Sequence, residues 1–129
     1  MKHYELDFLQ TKADRMFEYL RQPMPTMDNE NLVIERLMQL GRMLAESGEY
    51  KAAAQYKVDE VVHGEIGKAL FGLESEKLPA STLNTYIKAA AKDWNYLVNA
   101  FDRVNSAAGK MIMALQTLIS FEKEKMKIL

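Results

Sequence analysis

The sequence predicts an all-α fold: a helical bundle in which three shorter helices pack on one long, coiled-coil-like C-terminal helix over about residues 81–127. Three observations predict it. Leu83, Ile87, Ala90, Trp94, Leu97, Phe101, Val104, Ala108, Met111, Leu115 and Leu118 follow one another at alternating spacings of four and three residues. That is the apolar seam of a coiled-coil helix. The upstream segments carry shorter apolar patterns of helical period. Three prolines and six glycines interrupt 129 residues, so long helices are permitted.

The first helix reads as residues 4–21. Leu6, Leu9, Ala13, Met16 and Leu20 form its seam, and Phe17 widens it. Pro23 and Pro25 end it, because proline has no amide to donate and disfavours helix in the preceding residue. Asp28 is placed to cap the second helix. Val33, Leu37, Leu40 and Leu44 form that seam, and Ser47-Gly48 is expected to end it, with Gly48 free to take positive φ. A third helix is expected from Glu49 or Tyr50 to about Phe71. Its face runs through Ala54, Val58, Val61, Val62, Ile66, Ala69 and Leu70, and Gly64 and Gly67 weaken it. Residues 72–81 then connect, and Ser81 is expected to cap the long helix. Gly109 is the weak point there, but the seam keeps its phase from Val104 to Leu115, so one continuous helix is expected. The whole, residues 1–129, reads as a single all-α domain.

Composition narrows the function classes. The chain has no cysteine, which excludes disulfides and thiolate metal sites and fits a reducing compartment. The N-terminus is acidic where a signal peptide would be apolar, and the longest wholly apolar run, Met111 to Leu115, is far too short to span a bilayer. A cytoplasmic protein without membrane contact is expected. The net charge of −1 divides unevenly: residues 1–79 carry −4 and residues 80–129 carry +3. A basic helix lying on acidic ones explains this; a basic face for a polyanion is the sharper reading.

Residues 34–61 resemble a single tetratricopeptide-type hairpin. Leu40-Gly41, Leu44, Gly48, Tyr50, Ala53 and Tyr56 fall at that family's spacings. The resemblance implies a tight helix–turn–helix with Gly48 in the turn. It departs from the pattern at Glu60, where a small residue is expected, and at Glu65, where the closing proline belongs. No second copy follows, and such repeats need about three to be stable, so no peptide-binding solenoid is implied.

Chemical motifs are sparse. Glu60-x-x-His63 has the spacing of a carboxylate-bridged di-metal pair, but a complete site needs two such pairs, and the other histidine, His3, has no such context. No serine elbow, reactive thiol or phosphate loop occurs. No catalytic residue, cofactor or metal is therefore assigned.

The outer face of the long helix says more. Lys88, Lys92, Asn95, Asn99, Arg103, Ser106 and Lys110 recur at helical spacing, with Tyr96 beside them and Asp102 as the main acidic intruder. Amides and cations on one face suit phosphates and bases, although a solvated face has the same composition. The layout of short acidic helices before a long basic one also resembles small phage recombination mediators. That resemblance implies ring assembly and single-stranded DNA binding.

The leading expectation is a non-enzymatic, self-associating interaction or scaffold module. Its oligomer and core seam would be Trp94, Leu97, Phe101, Val104, Met111, Leu115 and Leu118. The alternative is a nucleic-acid accessory protein using Lys88, Lys92, Asn95, Asn99, Arg103 and Lys110. Self-association follows here from lengths: helices of about 27, 28 and 35 Å cannot each cover one of about 70 Å. A homodimer or higher oligomer is expected, most simply through paired long helices.

Overall fold

The computed structural model describes residues 2–72 and 80–128, with the backbone alone at 69–72 and 80. These residues form three helices: α1 (Leu6–Leu20), α2 (Glu30–Gly72) and α3 (Ala80–Ile128). No strand occurs among the described residues.

α1 carries Asp7 in its first turn, where an anion suits the helix dipole. It closes with the amides of Arg21 and Gln22 donating to the carbonyls of Phe17 and Tyr19, both at 3.1 Å, just before Pro23. α2 is capped by Asn29, whose Oδ1 accepts the Leu32 amide at 3.3 Å. The expected cap, Asp28, instead accepts the Thr26 hydroxyl at 3.4 Å. Ser81 also differs from expectation. It lies inside the first turn of α3, and its carbonyl accepts the Thr85 hydroxyl.

The main correction concerns Ser47-Gly48. The two helices expected on either side are one helix of 43 residues. No described glycine has positive φ, so Gly48 makes no turn and the tetratricopeptide-like hairpin does not form. The physical reason is an apolar phase that never breaks. Val33, Arg36, Leu40, Met43, Ser47, Tyr50 and Ala54 are all buried, at alternating spacings of three and four residues. Burying that stripe along α3 outweighs the cost of about 1 kcal/mol for a mid-helix glycine. A Cβ at Gly48 would sit 3.8 Å from Asn105 Nδ2, and one at Gly109 would sit 3.8 Å from Leu44 Cδ1. Both glycines therefore lie where α2 and α3 meet. Gly41, Gly64 and Gly67 have no such neighbour.

α2 and α3 run antiparallel. Leu44 lies by Gly109, the Tyr50 and Phe101 ring centres are 5.4 Å apart with the rings tilted, and Lys51 bonds Asp102 at 2.7 Å. α1 runs back along this pair. The His3 ring lies 5.6 Å from Tyr56, Tyr4 bonds Glu49, and Tyr19 lies under Arg36. Leu9, Ala13 and Met16 of α1 are buried, as the seam predicts. On α3, Leu97, Phe101, Val104 and Ala108 are fully enclosed. Each large apolar side chain so buried contributes about 1.5–3 kcal/mol.

The length argument for self-association is corrected at the same time. α2 spans about 65 Å and α3 about 74 Å at the standard rise, so one partner does run along most of α3. α1 is too short to do the same. It packs chiefly on α3, and side chains of α1 and of the residues just before it reach positions 36–56 of α2. Beyond it, between Val58 and Ala91, no described residue is buried.

Candidate functional site

Three surfaces carry the residues of interest: the α2–α3 seam, the outer stripe of α3, and the loop between α1 and α2.

In the seam, Leu97, Phe101, Val104 and Leu115 are buried inside the chain, and Trp94, Met111 and Leu118 are partly buried against the same core. These residues hold the chain's own helices together. Towards the start of α3 the seam shifts by one position: Ala90 is exposed and Ala91 is buried. Leu83 and Ile87 are only half-buried there, as are Val61 and Val62 on α2, while Ile66 is exposed. The side chains of Ala69 and Leu70 lie outside the described residues.

One polar device interrupts the seam. Asn105 Nδ2 donates to the Leu44 carbonyl at 2.8 Å and to Ser47 Oγ at 3.1 Å. Ser47 Oγ in turn donates to the Leu44 carbonyl at 3.1 Å, and its side chain is fully enclosed. Such a network fits only one register of α2 on α3. Beside it, Tyr4, Phe8, Tyr50 and Phe101 form an aromatic cluster, with Tyr4 stacked on Phe8 and edge-on to Tyr50. Glu49 accepts the Tyr4 hydroxyl proton at 2.6 Å. That bond, with burial and the Glu49 charge behind it, pushes the Tyr4 phenol up to about 12. Burial raises Tyr50 as well.

On the outer stripe, Lys88, Lys92, Asn95, Asn99, Arg103 and Lys110 are all exposed, as is Tyr96. Asp102, the acidic intruder, is bonded to Lys51 of α2. The six stripe residues form no ion pair among the described residues. Arg103 and Tyr96 also line a surface hollow with Asp14 and Glu18 of α1 and with Arg21 at its end, so the middle of the stripe has acidic neighbours.

Glu60 and His63 are exposed, and Glu60 pairs with Lys57 at 3.7 Å. No group of three or more His, Asp or Glu side chains suited to a metal occurs among the described residues. No described helix is long and apolar enough to cross a membrane.

The residue that sequence reasoning missed is Arg36. It occupies a core position of α2 and is only 5% exposed. Its guanidinium lies 4.4 Å over the Tyr19 ring, and Nη2 donates to the Gln22 carbonyl at 3.1 Å. The signal was its place in the three-four spacing from Val33 to Leu40.

No known protein family, curated protein or solved structure matches this chain.

Proposed function

We propose that this chain is a non-enzymatic helical interaction module of the cytoplasm that works by pairing with a second copy of itself. The observation that supports the reading is the free end of the α2–α3 pair. There Val61 and Val62 of α2 and Leu83 and Ile87 of α3 are only half-buried, and no third helix among the described residues covers them. In the middle of the pair α1 supplies that third layer. A two-fold pairing of these ends would place four helices around one apolar centre, with the coiled-coil-like seam continuing across the interface. The test is light scattering over a dilution series. Wild type should have twice the chain mass at tens of micromolar, and Leu83→Lys with Ile87→Lys should have the mass of one chain with unchanged helicity. A single-chain wild-type mass at every concentration refutes the proposal.

A second reading is nucleic-acid binding along Lys88, Lys92, Asn95, Asn99, Arg103 and Lys110. The Lys51–Asp102 bond favours it, because it neutralises the acidic group within the stripe. Binding of single strands should then weaken steeply with salt, as released counterions drive it. Changing Lys88, Lys92, Arg103 and Lys110 to Glu should abolish it. Absence of a mobility shift with wild type at low salt leaves the stripe a solvated face.

A further inference from the structure

We propose that the cavity between the α1–α2 loop and the first turns of α2 binds an apolar monocarboxylate through Arg36. The cavity is about 420 Å³, within the ordinary range for small-ligand sites. Its walls include Tyr19, Pro23, Met24, Pro25 and Leu32. Met24 and Leu32 are 37% and 49% exposed, large apolar surface for so short a stretch.

Arg36 supplies the charge. A guanidinium this deeply buried is costly unless an anion neutralises it. No carboxylate lies within ion-pair distance of it among the described residues. Nη2 is committed to the Gln22 carbonyl, and the face of the group to Tyr19. Nε is buried with no acceptor. The backbone carbonyl and the ring offer only partial negative charge, and the Glu35 carboxylate of the same lining lies beyond ion-pair distance, so the positive charge has no directly bonded anion. A carboxylate bound on the guanidinium would balance it with charge-assisted hydrogen bonds.

The lining also selects among anions. Its one carboxylate is Glu35, and its one cation is Arg36. Any anion there meets one cation and one like charge; a phosphate dianion is repelled by Glu35 about twice as strongly as a monoanion, whose single charge Arg36 matches. The proline, methionine, leucine and tyrosine walls call for an apolar body attached to that carboxylate. Two sources offer this chemistry: a free aromatic or aliphatic acid, and the C-terminal carboxylate of a peptide ending in an apolar residue.

Nuclear magnetic resonance of the intact chain tests this, read at the Arg36 Nε–H and at the Met24 and Leu32 methyl groups. Phenylacetate represents the free acid, and N-acetyl-leucine the peptide end. N-acetyl-leucinamide and inorganic phosphate are the controls. Saturable shifts of all three groups with either acid, and none with the controls, are expected; the tighter acid names the source. Arg36→Gln should weaken binding by about tenfold or more, the loss of one charge-assisted contact. Absence of saturable shifts in wild type overturns the proposal, and so do equal shifts with the amide or phosphate. Either result reduces Arg36 to an anchor for Gln22. The wild-type titration decides the matter even where Arg36→Gln fails to fold.

Discussion

Replacing Asn105 by alanine should cost this protein about 2 kcal/mol. The side-chain amide makes two hydrogen bonds across the α2–α3 contact, at 2.8 Å to the Leu44 carbonyl and 3.1 Å to Ser47 Oγ. Both are neutral bonds, worth about 1 kcal/mol each. The Leu44 carbonyl keeps the Ser47 hydroxyl after the change, so the loss stays near that sum. With a urea dependence of about 2 kcal/mol per molar, the unfolding midpoint falls by about 1 M. Far-ultraviolet circular dichroism during urea titration reads this directly. Ser47→Ala also removes two such bonds and should cost about 2 kcal/mol, and the two changes together should cost less than their sum by about 1 kcal/mol, the bond they share. Asn105→Leu with Ser47→Ala removes both polar partners, and stability should recover most of the loss. If Asn105→Ala costs under about 0.5 kcal/mol, or the double change is additive, the bonds do not form in solution. The assigned register of α2 on α3 then falls with them.

Gly48→Ala should stabilise the chain by about 0.5–1 kcal/mol, because the site is helical and a Cβ meets its nearest neighbour at ordinary contact distance. A destabilised variant in thermal unfolding would mean that Gly48 does turn the chain. Tyr4 should ionise near pH 12 in an ultraviolet tyrosinate titration, and Glu49→Gln should bring it back towards its ordinary value. The raised pKa favours the neutral phenol, so its stabilising effect is complete below about pH 10 and is lost as pH rises towards about 12. An unchanged Tyr4 midpoint in Glu49→Gln would remove Glu49 as the cause.

The helical class, the extent of α1 and the continuity of α3 through Gly109 were all legible in the sequence, because each rests on apolar spacing over many turns. The join of α2 was not. Leu37 and Leu44 look like the better seam residues, but both lie half a step from the stripe that is buried most deeply. The deeper stripe runs through Arg36 and Ser47, two residues whose polarity disqualifies them in any reading by hydrophobicity. Ser47 is admitted because Asn105 meets it from 58 positions away, a pairing that no local pattern encodes. Arg36 was hidden for the same reason: Tyr19 and Gln22, which flank it in space, belong to another helix end. The exposed stripe of α3 was fully legible, since solvent-facing positions need no partner to be placed.

The uneven burial along the α2–α3 pair also bears on how the chain folds. An antiparallel pair can close by zipping from its turn, where each new contact adds little loop entropy. Here the described residues nearest the connection, those beyond Val58 and before Ala91, bury least. The deepest contacts, around Tyr50 and Phe101, join positions about fifty residues apart, and Lys51 and Asp102 are separated by 51. Closing such a loop costs entropy before any reward arrives, though the cost grows only with the logarithm of its length. The nucleus should therefore form mid-pair, where α1 can dock at once, and spread outward in both directions. Substitutions at Tyr50 and Phe101 would slow folding, whereas those at Leu83 and Ile87 would mainly speed the opening of an end that closes last.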